Sequence, residues 1–210
     1  MTKDNQAKLT HLIKTSNRIL IFTGAGISTG SGIPDFRGPQ GIWKRRNSVY
    51  YQQFLESEES RIEHWDYKLE GYEGFRDAKP NAAHMAIVKL EKMGKLKALV
   101  TQNIDGLHET AGNSKDKIIE LHGTNKWIEC IDCKKRLEPG PVFREYKNAR
   151  KPPKCSCGGF LKSATIMFGQ AMPQDKLHSA FEAANSADLV MSIGSTLKWN
   201  LPRQCQWLRA

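Results

Sequence analysis

An α/β fold, a doubly wound parallel sheet with a small inserted zinc-binding module and a helical insertion, is predicted by three features of the sequence. Short, continuously apolar runs recur along the chain, segments of helical periodicity separate them, and a glycine-rich turn follows directly on the first run. Such runs suit strands covered on both faces, and parallel strands need long crossover connections.

Taken in order, residues 7–15 form a polar, amphipathic opening that predicts a helix, and residues 18–23 (RILIFT) predict the first buried strand. Runs of the same character at 96–101, 118–121, 164–168 and 189–193 predict the other strands of one Rossmann-like parallel sheet. Between the first two runs, Pro80 and Asn81 open a segment in which Ala83, Ile87, Leu90 and Met93 fall at helical spacing, with Gly94 placed to stop it. A second crossover helix is predicted from Pro173 through Leu177, Ala180, Phe181 and Ala184. Two stretches break the rhythm: residues 44–79 are polar and aromatic, and residues 127–162 carry four cysteines among lysines and prolines. They read as insertions that divide one scaffold into 1–43, 80–126 and 163–210.

At 210 residues and 39% hydrophobic content the chain can bury one core plus a small satellite. The opening segment is polar and no run of eighteen apolar residues occurs, so a cytoplasmic protein without a membrane partner is expected. In that reducing setting the cysteines are expected to hold metal rather than form disulfides. Thirty-two basic against 22 acidic residues leave a formal charge of +10, which would attract acidic partners. The charge is scattered, with basic clusters at 44–46, 134–136 and 147–154 and an acidic stretch at 56–73, and no nucleic-acid recognition motif accompanies it. Solvated surface is the expected reading, with nucleic acid not a partner. The oligomeric state is not legible.

Cys130-x2-Cys133 and Cys155-x-Cys157 are set among Lys, Pro and Gly, as expected where two tight knuckles close a tetrathiolate zinc site. Four thiolates leave no open position for water, so the zinc is expected to be structural. Cys205 stands apart and is not expected to be a ligand.

The glycine-rich turn, GAGISTGSGIPDFRG from Gly24 to Gly38, sits where backbone can approach a pyrophosphate and a following helix N-terminus can offer free N–H groups. Its spacing is not the usual dinucleotide fingerprint, and no acidic residue stands at the usual ribose position. The string as a whole, GAGIS followed by GIPDFRG, resembles the signature of the sirtuins. The likeness continues through TQNIDGLH at 101–108, LHG at 121–123 and Phe168-Gly169 with Met172-Pro173, the cysteine module lying between the last two. The chain is similar to prokaryotic-type members of that family.

The resemblance implies an NAD-dependent protein lysine deacylase with NAD as co-substrate and structural zinc. Gly24, Ala25, Gly26 and Ser28 would line the pyrophosphate site, with Gly194, Ser195 and Thr196 as a second phosphate loop. Ile33, Phe36, Gln102, Asn103, Ile104 and Asp105 would close around nicotinamide, and Arg37 would order the loop above it. The acyl-lysine oxygen of a protein or peptide substrate would attack the ribose as nicotinamide leaves. His122 would then act as general base on a ribose hydroxyl, giving free lysine and O-acyl-ADP-ribose. The peptide would lie extended between Phe168-Gly169 and the Gly194 loop. His108 sits in a family motif without a derivable role, and His11, His64, His84 and His178 are expected to be structural or exposed.

Two departures qualify the likeness. Gln170 stands where the family commonly has glutamate, and after Leu197 the sequence leaves the family pattern, so the C-terminal part of the nucleotide-binding fold is expected to be altered or incomplete. Protein mono-ADP-ribosyl transfer, or an inactive NAD- and zinc-binding scaffold, are the competing expectations.

Overall fold

The computed structural model describes residues 2–35, 38 and 48–196. Phe36, Arg37, the basic cluster at 44–46, Cys205 and the altered tail from Leu197 onward lie outside the described residues.

The opening helix α1 (Lys3–Thr15) is capped by the Thr2 hydroxyl, which accepts from the Asn5 N–H. Its C-terminal carbonyls are met from across the fold: Lys95 Nζ donates to the carbonyls of Ile13, Lys14 and Ser16. A cation at a helix C-terminus satisfies both the unpaired acceptors and the negative dipole end.

Four strands, β1 (Ile19–Thr23), β2 (Leu96–Thr101), β3 (Ile118–Glu120) and β7 (Leu189–Ile193), form a parallel sheet in the order β3-β2-β1-β7. Every residue of β1 is buried, as a central strand covered on both faces requires. Alternate residues point into separate cores. Leu20 and Phe22 pack with Ala98, Val100 and Leu121 against Ala180 and Ala183 of α7 (Gln174–Asn185). On the other face Ile19 and Ile21 pack with Leu99 against Ile87 of α4 (Ala82–Lys92), with Ile13 of α1 beside them. β2 and β3 are added on one side of β1 and β7 on the other, so the reversal of strand order falls at β1.

The sequence reading placed 164–168 in this parallel sheet, and here the structure corrects it. The strand is β6 (Leu161–Thr165), and it pairs antiparallel with β4 (Gly123–Cys130), which also pairs with β5 (Arg136–Leu137). Apolar content marked the segment as buried but did not identify its pairing partner. Within the glycine-rich turn the chain winds into a short 3-10 helix over Ala25–Ser31.

Residues 44–79 contain α2 (Tyr51–Glu56) and α3 (Glu58–Asp77), and the cysteine region contains α6 (Pro139–Ala149), which the sequence reading missed. The two insertions share one core. Trp65 of α3, fully buried, packs with Ile128, Val142, Phe143, Tyr146 and Leu161, and this cluster includes Cys130 and Cys155. Tyr146 Oη donates to the Ile62 carbonyl and to Asp66, which Arg150 also reaches at 3.0 Å.

Candidate functional site

The C-terminal ends of β1, β2, β3 and β7 converge, and the loops that leave them are tied together by main-chain hydrogen bonds. Gly24 N–H donates to the Ile193 carbonyl, Gly26 N–H to the Gly194 carbonyl, Gln102 N–H to Thr23 and Leu121 N–H to Thr101. The glycines are needed because the loops nearly touch. A β-carbon on Gly26 would lie 2.8 Å from the Gly194 oxygen, and Gly194 itself has a positive φ of 67° with its open side against the Ile27 nitrogen.

A largely buried series of side-chain hydrogen bonds floors this junction. Ser28 Oγ donates to Asp105 Oδ2 at 2.7 Å, and Asn103 Nδ2 donates to Ser28 Oγ and to the Gly24 carbonyl, each at 3.2 Å. Asp105 Oδ1 accepts from the Leu107 N–H, and the Asn103 N–H donates to Thr101 Oγ1. The glycine loop and the TQNIDG turn are thereby locked into one unit. Asn81, which caps α4 by accepting from Ala83 N–H, holds the loop from outside by donating to the Ile27 carbonyl and to Ser31 Oγ.

His122 follows β3 and is gripped twice. Its Nδ1 lies 3.0 Å from the Gln102 carbonyl, and its own carbonyl accepts from Ile166 N–H. A carbonyl can only accept, so Nδ1 carries the proton and the neutral ring presents its lone pair at Nε2. Burial lowers the imidazole below its ordinary range, while the Gln102 carbonyl pulls the other way. The ring is therefore neutral at physiological pH, the state a proton acceptor needs.

A cavity of about 430 Å³ opens at these strand ends, walled in part by Gly24, Ala25, Gly26, Ser28, Ile33, Gln102, Asn103, Ile104, Asp105, His122, Gly194, Ser195 and Thr196. Every nominated nucleotide or base residue among the described residues is thus in one place. The sequence reading missed the wall supplied by α3, where His64, Tyr67 and Lys68 line the same cavity. Lys68 Nζ donates to Asn125 Oδ1, and burial together with Lys162 pushes it down to about 8. No local signal could have found these residues, because they face the cavity only through the packing of α3 on the cysteine module.

Phe168 and Gly169 also line the cavity, and the Phe168 carbonyl accepts from Tyr51 N–H at 2.8 Å. Gln170 turns back on its own loop: its Oε1 accepts from Met167 N–H. Of the remaining histidines, His11 and His178 are exposed, whereas His64, His84 and His108 are buried.

The four cysteines of the module meet in space. Their sulfurs lie within 4.8 Å of one another, with Cys130–Cys157 at 3.6 Å and Cys133–Cys155 at 3.7 Å. A tetrahedron with Zn–S bonds of about 2.3 Å has edges of about 3.8 Å, so the donor set and its spacing fit zinc. Main-chain bonds from Cys130 N–H to the Lys135 carbonyl and from Cys155 N–H to the Gly159 carbonyl shape the two knuckles.

Comparison with known proteins agrees with this geometry. The profile of the Sir2 family matches residues 24–200. The NAD-dependent protein deacetylase of Thermodesulfovibrio yellowstonii is 44% identical over 193 residues, 91% of this chain and 75% of that protein. That of Sulfurisphaera tokodaii is 42% identical over 191 residues, 90% of this chain and 74% of its own length. Among solved structures, a Sir2 protein with a p53 peptide and NAD+ superposes with a TM-score of 0.83 at 34% identity, covering 95% of this chain and 79% of that one. A Sir2 variant with a deacetylated p53 peptide and 3′-O-acetyl-ADP-ribose reaches 0.86 at 34% identity, covering 96% and 80%.

Proposed function

This chain belongs to the Sir2 family, and from that premise we propose that it is an NAD-dependent protein lysine deacetylase, which releases nicotinamide and passes the acyl group to ADP-ribose. The observation that carries the reading is the Asn103–Ser28–Asp105 hydrogen-bond chain lining a cavity that His122 also lines.

NAD supplies the electrophilic ribose carbon and the acceptor hydroxyl. The chain supplies the rest. Gly24, Ala25, Gly26 and Ser28, with Gly194, Ser195 and Thr196 opposite, would line the pyrophosphate, the glycines letting it approach the backbone closely. The Asn103 amide oxygen and the Asp105 carboxylate would accept from the carboxamide NH2, while Ile33 and Ile104 would keep water from the reacting carbon. Gln102 orients His122 through its carbonyl, and Nε2 takes the proton of the ribose hydroxyl that receives the acyl group. Phe36 and Arg37 are assigned to the loop over the base by their place in the motif. Cys130, Cys133, Cys155 and Cys157 hold a zinc ion whose closed thiolate shell stiffens the module and takes no part in the chemistry.

The solved relatives bind a p53 peptide, and the same substrate class, an acylated lysine in an extended peptide, is assigned to the cleft beside Phe168 and Gly169. Incubation with NAD and an acetyl-lysine peptide should yield nicotinamide and O-acetyl-ADP-ribose in equal amounts. ADP-ribosylated protein without deacetylated peptide, or no turnover by protein that retains zinc, would overturn the assignment.

A further inference from the structure

Beneath the nucleotide loop lie two buried histidines to which the chemistry above gives no part. His84 on α4 is fully buried, His108 on α5 (Leu107–Ala111) is 2% exposed, and their ring centres stand 4.9 Å apart. Each ring has one engaged and one orphaned nitrogen. His84 Nδ1 accepts from Asn81 N–H, so its proton sits on Nε2, which has no partner among the described residues. On the other ring, with Thr23 Oγ1 assigned as donor to Thr101 Oγ1 at 2.8 Å, His108 Nε2, 3.0 Å from Thr23 Oγ1, takes the donor role. That leaves His108 Nδ1 as a bare acceptor, and it too lacks a partner. A buried donor and a buried acceptor, each costing about 1–3 kcal/mol if unmet, therefore sit on two adjacent rings.

We propose that His84 and His108 act as one neutral imidazole pair, in which a small turn of the adjacent rings brings His84 Nε2–H onto His108 Nδ1, and that this pair positions Asn103 for nicotinamide. The pair completes a continuous path. Asn81, anchored on Ile27 and Ser31, leads through His84 and His108 to Thr23 and Thr101, and Thr101 Oγ1 accepts from the Asn103 N–H. It thus joins the outside clamp on the glycine loop to the residue that floors the base site. Burial favours the neutral state on both sides: it drives His108 down to about 3, helped by His84, and it lowers His84 against an opposing pull from Asp105. His84 and His108 touch no substrate in this scheme and are positioning residues.

The role rests on the deacetylase reading, and the tests separate the two. Histidine nitrogen NMR on the wild-type chain at neutral pH should find both rings neutral with the proton on Nε2, whatever the activity. A charged ring or an Nδ1–H tautomer on either would overturn the pair. In the assay, His108→Phe should raise the KM for NAD and weaken nicotinamide inhibition about tenfold with a smaller change in kcat. His108→Gln, whose amide can both donate to Thr23 and accept from His84, should recover most of that loss. In an Asn103→Ala background His108→Phe should add nothing, because its effect passes through Asn103. Equal losses for Phe and Gln, or undiminished losses without Asn103, would sink the positioning role. A wild-type chain that showed the predicted tautomers but no deacetylation would overturn the functional reading alone.

Discussion

Ser28 Oγ donates to Asp105 Oδ2 at 2.7 Å, and through this bond a residue of the glycine loop and one that follows β2 become parts of one surface. A hydrogen bond to a charged acceptor contributes about 1.5–3 kcal/mol. Ser28→Ala should therefore lower kcat/KM for NAD by roughly 10- to 100-fold while leaving the melting temperature within a few degrees. Steady-state kinetics with a saturating acetyl-lysine peptide checks it.

His122→Ala should reduce acyl transfer by about two to four orders of magnitude, the usual range for a removed general base. The acid limb of the wild-type pH profile supplies a second check. The base must be neutral to work, and burial lowers its folded-state pKa, so activity should persist below pH 6.5 and fall only as the pH drops through that depressed value. Loss of activity already at pH 7 would point to another group.

Acid should destabilise the fold before the carboxylates titrate. Burial lowers His64, His84, His108 and His122, with His108 at about 3. Below pH 6.5 the unfolded chain takes up protons that the folded chain refuses, so stability present above that pH is lost as pH falls. For His108 the loss continues to about 3. Each such histidine contributes up to about 1.4 kcal/mol per pH unit within its window. Urea midpoints at pH 7.5, 6 and 5 should decline in order, and a flat series would contradict the burial.

Zinc removal should unfold more than the cysteine knuckles. Cys130 and Cys155 belong to the core that holds Trp65 of α3, so a chelator combined with a thiol reagent should release one zinc per chain and loosen α3 as well. Hydrogen exchange over Glu58–Asp77 is the readout.

The converse experiment is Trp65→Ala. Emptying this site should cost about 3–5 kcal/mol and speed zinc loss, because the cavity opens beside two of its ligands. Tyr146→Phe, which removes only the bonds to Ile62 and Asp66, should cost about 1 kcal/mol.

Much of this molecule is legible along the chain. Ile19–Thr23 reads as a central strand because burial on both faces demands an unbroken apolar run, and Gly24, Gly26 and Gly194 mark loops where backbone meets backbone. The cysteine spacing announces a metal site because two knuckles must each present two sulfurs. These are local constraints, and local sequence records them. What pairs with what is not local. The apolar run at 164–168 marked burial without naming a partner, and only the fold sends β6 to an antiparallel sheet beside β4. Two polar interruptions, far apart in sequence, share the core around Trp65 because each alone has too little apolar surface to bury. His84 and His108 likewise looked like unremarkable members of two separate segments. Tertiary packing alone set the two rings 4.9 Å apart and buried one nitrogen of each away from any partner among the described residues.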